Sequence, residues 1–237
     1  AGFGALTIEA ALFNGDEPER PGQWPRVGNR FGDSRAVRLT IEPGRGLALS
    51  ASAAAVASPE HRAGAGGRQD KVHLGARLEK AGEWGKATWL GEWARTSELD
   101  GFFVFESVLA EGQWQRGPLA LQYRFESTER PEEERVSPYR SARPHLENSI
   151  LGITRWATHT FGIALDLPFG TGSPSAAVLF EATRGGIRAS RAGAFDLAAT
   201  YGADRFLELS IGFRLRWGSA DHVMGKYGIA RPAVLHH

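Results

Sequence analysis

The stretch Phe206-Leu207-Glu208-Leu209-Ser210-Ile211-Gly212-Phe213-Arg214-Leu215-Arg216-Trp217 alternates strictly between two kinds of side chain. Leu207, Leu209, Ile211, Phe213, Leu215 and Trp217 fall on one face of an extended chain; Glu208, Ser210, Gly212, Arg214 and Arg216 fall on the other. A helical period would scatter these charges around its axis, whereas a period of two puts every apolar side chain on one side. The stretch predicts an amphipathic β-strand.

The same split recurs along the chain. Residues 3–13 set Leu6, Ile8, Ala10 and Leu12 against Thr7 and Glu9, and 35–42 set Val37, Leu39 and Ile41 against Arg38, Thr40 and Glu42. Residues 47–56 are rich in Ala and Ser. In 71–79, Val72, Leu74, Ala76 and Leu78 oppose Lys71, His73, Arg77 and Glu79. Trp89 and Trp93 oppose Glu92; Phe103, Phe105 and Leu109 oppose Glu106. Leu121, Tyr123 and Phe125 oppose Gln122, Arg124 and Glu126, and Val178 and Phe180 oppose Glu181. Residues 148–167 suit one tilted strand or a bent pair. This makes about ten strands, the size of a small barrel.

Connections alternate in length. Short turns are expected at 43–46, 80–85, around 111–112, and at 168–174. Longer polar loops are expected at 14–34, 58–69, 127–147 and 185–204, and 97–101 is the one brief connection on that side. Outer-membrane barrels combine short periplasmic turns with long external loops. The abrupt start of strand pattern at Phe3 predicts a fragment, with strands 1–217 followed by an irregular tail, 218–237.

Composition narrows the function classes. Lys plus Arg number 28 against 27 Asp plus Glu, a balance that argues against a nucleic-acid partner. There is no Cys, hence no disulfide framework or thiol chemistry. No run of about 18 apolar residues exists to form a spanning helix, but barrel strands need only about 9–11 residues each.

Alternation does not say which face points inward. A soluble barrel buries its apolar face; a membrane barrel reverses this. Three features favour the membrane: apolar faces unbroken across most strands, Glu mixed with Arg on the opposite faces, and aromatics near strand ends. Those aromatics are Phe3, Phe13, Trp84, Trp89, Trp114, Trp156, Phe169 and Trp217, as in an interfacial girdle. The lumen would then be lined by Glu9, Arg38, Glu42, His73, Arg77, Glu92, Glu106, Arg124, Glu126, Glu181, Glu208 and Arg214.

Glu9-Ala10-Ala11-Leu12-Phe13-Asn14-Gly15-Asp16-Glu17-Pro18 resembles a segment of a poorly characterised family of bacterial outer-membrane β-barrel, porin-like proteins. Phe105-Glu106-Ser107, Arg124-Phe125-Glu126 and the run from Asn148 to Trp156 are similar to further strands of that family. The resemblance implies a C-terminal portion of such a barrel and carries no activity, cofactor or catalytic residue. The end of the chain departs from the pattern, since Ala230 to His237 lack a terminal aromatic.

The candidates for site chemistry are His61, His145, His159 and His222, with Ser58, Ser141 and Ser149. His145 with Glu147 near a rim is the one pair suited to activating a nucleophile, but spacing assigns none. His236 and His237 with His222 lack a third metal ligand of suitable spacing. Gly64, Gly66 and Gly67 precede a strand, not the helix a phosphate cradle needs. The arginines of 127–147 read first as part of a solvated loop, with a pore constriction or an anionic lipid outside as the functional alternatives. The expectation is an all-β, antiparallel up-and-down transmembrane barrel in the bacterial outer membrane. It is expected to be no enzyme, to hold no cofactor or metal, and to act as a channel for small polar solutes. The alternative is a closed structural barrel whose external loops bind a protein partner or lipopolysaccharide; a barrel enzyme active at the rim ranks last. The barrel's immediate partners are outer-membrane lipids.

Overall fold

The alternating stretches become strands of a single antiparallel sheet whose spatial order is the order of the chain. They are β1 (Gly2–Phe3), β2 (Leu6–Phe13), β3 (Ser34–Gly44), β4 (Leu47–Val56), β5 (Gln69–Gly82) and β6 (Gly85–Glu98). After them come β7 (Phe103–Arg116), β8 (Leu119–Glu134), β9 (Ser149–Leu167), β10 (Ser175–Arg191) and β11 (Arg205–Arg216). The structure, a computed structural model, describes residues 2–3, 5–15, 31–57, 67–98, 101–134, 149–167, 175–191 and 201–216. Among the described residues no ladder joins β11 to β1 or β2. The expected closed barrel is thus realised here as an up-and-down sheet with two free edges.

Directly opposed residues in a ladder share a face, so the register carries each face from strand to strand. Leu6 pairs with Ile41, Ile41 with Leu49, Leu49 with Ala76 and Ala76 with Gly91. Gly91 pairs with Ala110, Ala110 with Phe125, Phe125 with His159, His159 with Arg184, and Arg184 with Leu207. These residues and their i±2 neighbours form one continuous apolar face. Glu9, Arg38, Ser52, His73 and Ala94 form a parallel row on the opposite, polar face.

On β5 and β9 the burial of the two faces is inverted relative to a soluble sheet, whereas on β8 Arg124 and Glu126 are exposed and Phe125 is half-buried. Arg77, on the polar face, is 7% exposed, while Leu74 on the other side of the same strand is 50% exposed. Ile211 is 80% exposed. No described helix or second layer covers the apolar face. On that face β5 carries Asp70 at one end and Lys80 at the other, with Val72, Leu74, Ala76 and Leu78 between. Ten residues at ~3.3 Å each make about 33 Å, or about 25 Å along the axis for a strand tilted about 40°. That is the height of a barrel's lipid-facing band.

Several boundaries differ from expectation. The turn expected at 111–112 lies instead at Gly117 and Pro118, and β7 runs through Gly112 without interruption. Gly112 is a packing glycine: it pairs with Trp89, and a Cβ there would stand 3.5 Å from the Trp89 ring. The loops expected at 127–147 and 185–204 begin later, because β8 continues to Glu134 and β10 to Arg191. Beyond the apolar band both faces are polar, so the period-2 signal fades although the ladder continues. Residues 149–167 form one strand. The first expected strand is a hairpin, Phe3 pairing with Leu6.

Gly15 explains the Phe-Asn-Gly motif. Its N–H donates to Asp33 Oδ1 (3.1 Å), Ser34 Oγ donates to the same oxygen (2.8 Å), and Ala57 N–H donates to Ser34 Oγ (2.9 Å). A Cβ on Gly15 would overlap both Ser34 Oγ and the Ala57 carbonyl. The motif therefore knots the ends of β2, β3 and β4 together.

Candidate functional site

The polar face holds most of the expected lumen residues. Glu9, Arg38, Glu42, His73, Arg77, Glu92, Arg124, Glu126, Glu181, Glu208 and Arg214 all follow its register. Glu106 does not. It pairs with Arg95, one step from Val108 and Trp93 on the apolar face, at that face's long-loop end. Phe103, Phe105 and Leu109 accordingly lie on the polar face, so the alternation of β7 was legible but its sense is reversed. The reversal brings Glu111 to the polar face, where its carboxylate accepts from Arg124 Nε at 2.7 Å.

Charges on this face meet across small residues. Arg77 donates to Glu79 (2.5 Å) and stands 3.9 Å from Glu42, two strands away, above the Ala48 and Ser50 of β4. Gln122 Nε2 reaches Glu181 (3.3 Å) from β8 to β10 across Gly162 of β9. A side chain at Gly162 would collide with Gln122. Glu9 lies 4.0 Å from Arg38, and His73 Nε2 3.7 Å from Glu92. Thr160 and Thr183 share a hydrogen bond of 2.9 Å. A small cavity of about 30 Å³ lies among Arg38, Thr40, Glu42, Ser50, Arg77 and Glu92, beside a Thr40 hydroxyl with no protein partner. It has room for about one water molecule.

At the long-loop end, beyond the apolar band, a second cluster forms on the same face. Tyr201, from the connection between β10 and β11, donates its hydroxyl to Glu132 Oε2 (2.5 Å) and accepts from Arg130 Nη2 (2.7 Å). Glu132 also accepts from Arg130 Nε (3.1 Å) and from the Thr154 hydroxyl. The Arg130 guanidinium lies 4.1 Å over the Trp156 ring, whose N–H donates to Thr154 (3.0 Å). Burial by itself would raise the Glu132 carboxyl, but hydrogen bonds from Thr154, Tyr201 and Arg130 outweigh it and hold the group below its ordinary value. Burial and the Glu132 carboxylate both push the Tyr201 hydroxyl up. The cluster pins the β10–β11 connection to the polar side of the sheet. The composition signal for it, an acidic and basic run after a strand, reads as an ordinary solvated loop.

His159 lies on the apolar face, where its Nδ1 is 2.8 Å from the Tyr123 hydroxyl and its ring packs 5.0 Å from Phe125. Trp84 and Trp114 mark the short-turn end, the Trp114 N–H donating to the Trp84 carbonyl (3.0 Å) with Trp89 nearby on the apolar face. Phe13 and Trp156 face the polar side and do not belong to an outer girdle. His61, His145, Glu147, His222, His236, His237, Ser58, Ser141, Phe169 and Trp217 lie outside the described residues, as do residues 218–237 and the side chains of Phe3 and Ser149. Among the described residues no group of three His, Asp or Glu is placed to hold a metal ion.

Comparison with protein-family models, with curated proteins and with solved structures finds no match to this chain.

Proposed function

We propose that this sheet forms the wall of a bacterial outer-membrane β-barrel that acts as a porin-like channel for small polar solutes. One observation carries the reading: large apolar side chains stand exposed across one face of the sheet from β2 to β11 with no described layer over them, while on β5 the charged Arg77 is sheltered on the opposite face. In water such a surface is an aggregation hazard; in lipid it is the required surface. The lumen is then lined by Arg38, Arg77, Arg124 and Arg214 with Glu9, Glu42, Glu92, Glu111 and Glu208, and the balance of their signs sets ion preference. Single-channel conductance of the protein refolded and inserted into a planar bilayer tests this. Ion-selective steps whose selectivity changes in Arg38→Ala or Glu208→Ala support it. A folded barrel that inserts and never conducts discards it.

A second reading, a closed structural barrel, draws on the pairing itself. Cross-linked charges such as Arg77 with Glu42 and Glu79 act as a rigid polar filling, and Tyr201 draws a connection toward the lumen. Insertion without conductance in both wild type and Tyr201→Phe is its expected result, and the long connections then become the interaction surface.

A further inference from the structure

We infer that Arg184, Arg188 and Arg205 form a docking site for the phosphate headgroup of an anionic membrane lipid, on the outside of the wall. The inference rests on the apolar face meeting lipid. Arg184 and Arg188 lie on β10, four residues apart and therefore on one face; Arg205 of β11 pairs with Gly186, midway between them. All three are exposed. Gly186 leaves an open floor inside this triangle: a Cβ there would meet nothing nearer than the Asp204 carbonyl at 3.7 Å.

The three arginines form no ion pair among the described residues, whereas their neighbour Arg155, opposite Arg188 on β9, is held by Glu129 at 2.7 Å. Among the described residues Glu129 is thus engaged by Arg155, and Asp204, next to Arg205, forms no ion pair with the trio. Arg205 sits across the ladder between Arg184 and Arg188, two residues from the position opposite each, so its charge is close enough to both to repel them unless an anion joins the three. A guanidinium fork matches phosphate oxygens bidentately.

What lies beside the trio selects an amphiphile over a free ion. Moving toward the short-turn end on the same face, Arg184 gives way to Ala182 and Phe180, and Arg205 to Leu207 and Leu209. Leu207 and Leu209 are among the more exposed apolar side chains of the protein. A lipid whose phosphate sits over Gly186 lays its acyl chains on these residues. The cations thus stand at headgroup level and the leucines at acyl level, the order found along a bilayer normal.

The test uses the full chain folded in zwitterionic micelles, with anisotropy of a fluorescent phosphatidylglycerol as readout. Wild type is expected to bind saturably, with affinity falling as salt rises. The triple variant Arg184→Gln, Arg188→Gln, Arg205→Gln is expected to bind at least tenfold more weakly. The corresponding triple Lys variant is expected to fall between the two, since charge is kept and the fork is lost. Inorganic phosphate is expected to compete poorly. Equal binding by wild type and the Gln variant overturns the inference, and so does full displacement by inorganic phosphate, which would mark a simple anion site. Protease protection after insertion into phosphatidylcholine vesicles is measured in parallel. Insertion retained with lipid selectivity absent defeats the headgroup site alone; loss of insertion in wild type defeats the membrane reading and this inference with it.

Discussion

Leu74→Arg places a charge at the centre of the apolar face. Leu74 is flanked on that face by Ala51 of β4 and Trp93 of β6. It lies four residues from Asp70 and six from Lys80, the polar residues that bound the band on β5. At ~3.3 Å per residue those are about 13 and 20 Å along the strand, farther than an arginine side chain extends, so the charge cannot snorkel fully to either edge. On a lipid-facing barrel wall an arginine near the midplane costs about 2–4 kcal/mol, or roughly 30- to 900-fold in the folding equilibrium. At an exposed site in water the same change costs within about 0.5 kcal/mol. The two surroundings therefore predict results that do not overlap. Reversible denaturant unfolding from vesicles, read by fluorescence of Trp89 and Trp93 on the same face, measures the difference. A shift below about 0.5 kcal/mol with the protein inserted would refute the assignment of this face to lipid.

The opposite face gives the complementary test: Arg77→Leu removes the partner of Glu79 and Glu42 from a sheltered site; because both acids stay partly exposed, a loss below the ~3–5 kcal/mol of a fully buried pair is expected in the same assay. Glu111→Gln weakens the bond to Arg124, and in bilayers it is expected to shift selectivity toward anions if the pore conducts. For the Glu132–Tyr201 cluster the sign follows from the lowered Glu132 carboxyl: its contribution is fully present above the ordinary carboxylate range and is lost as pH falls through the lower folded value. Fluorescence of Trp156, which stacks under Arg130, is expected to report this acid transition and to lose it in Glu132→Gln. Gly15→Ala is expected to destabilise by about 1–3 kcal/mol, seen as a lower unfolding midpoint, because its methyl group overlaps Ser34 and Ala57.

Much of the sheet was legible because alternation is a local property. Each of β2 to β6 and β8 to β11 shows its two faces within a few residues, and the Gly-bearing turns at Gly44 to Gly46 and Gly82 to Gly85 separate them. Strand ends were less legible where function and folding diverge. The far ends of β8 and β10 carry Glu129, Arg130, Glu132 and Arg188, which read as loop because no apolar row continues there. Their ladder hydrogen bonds are made by backbone groups, on which composition has no hold.

The case of β7 shows where a pattern stops carrying information. Phe103, Phe105 and Leu109 against Glu106 is a correct alternation, and alone it assigns the phenylalanines to the apolar face. Alternation defines two faces of one strand but not which face of the sheet each joins; that depends on register with both neighbours. Counted from Trp89, which pairs with Gly112, and from Tyr123, which pairs with the same residue on the other side, the apolar row runs through Gly112, Ala110 and Val108. These small side chains are weak evidence in a hydropathy reading, and the strong ones nearby point the other way. Two contacts accompany the observed register: Arg124 bonds Glu111 on the polar face, and the Trp89 ring packs over Gly112, where a Cβ would stand at an ordinary contact distance of 3.5 Å. Both are tertiary contacts made by β6 and β8. Shifting β7 by one residue would therefore leave its own pattern intact while breaking the Glu111–Arg124 bond, so the sense of β7 is readable only from its register with β6 and β8.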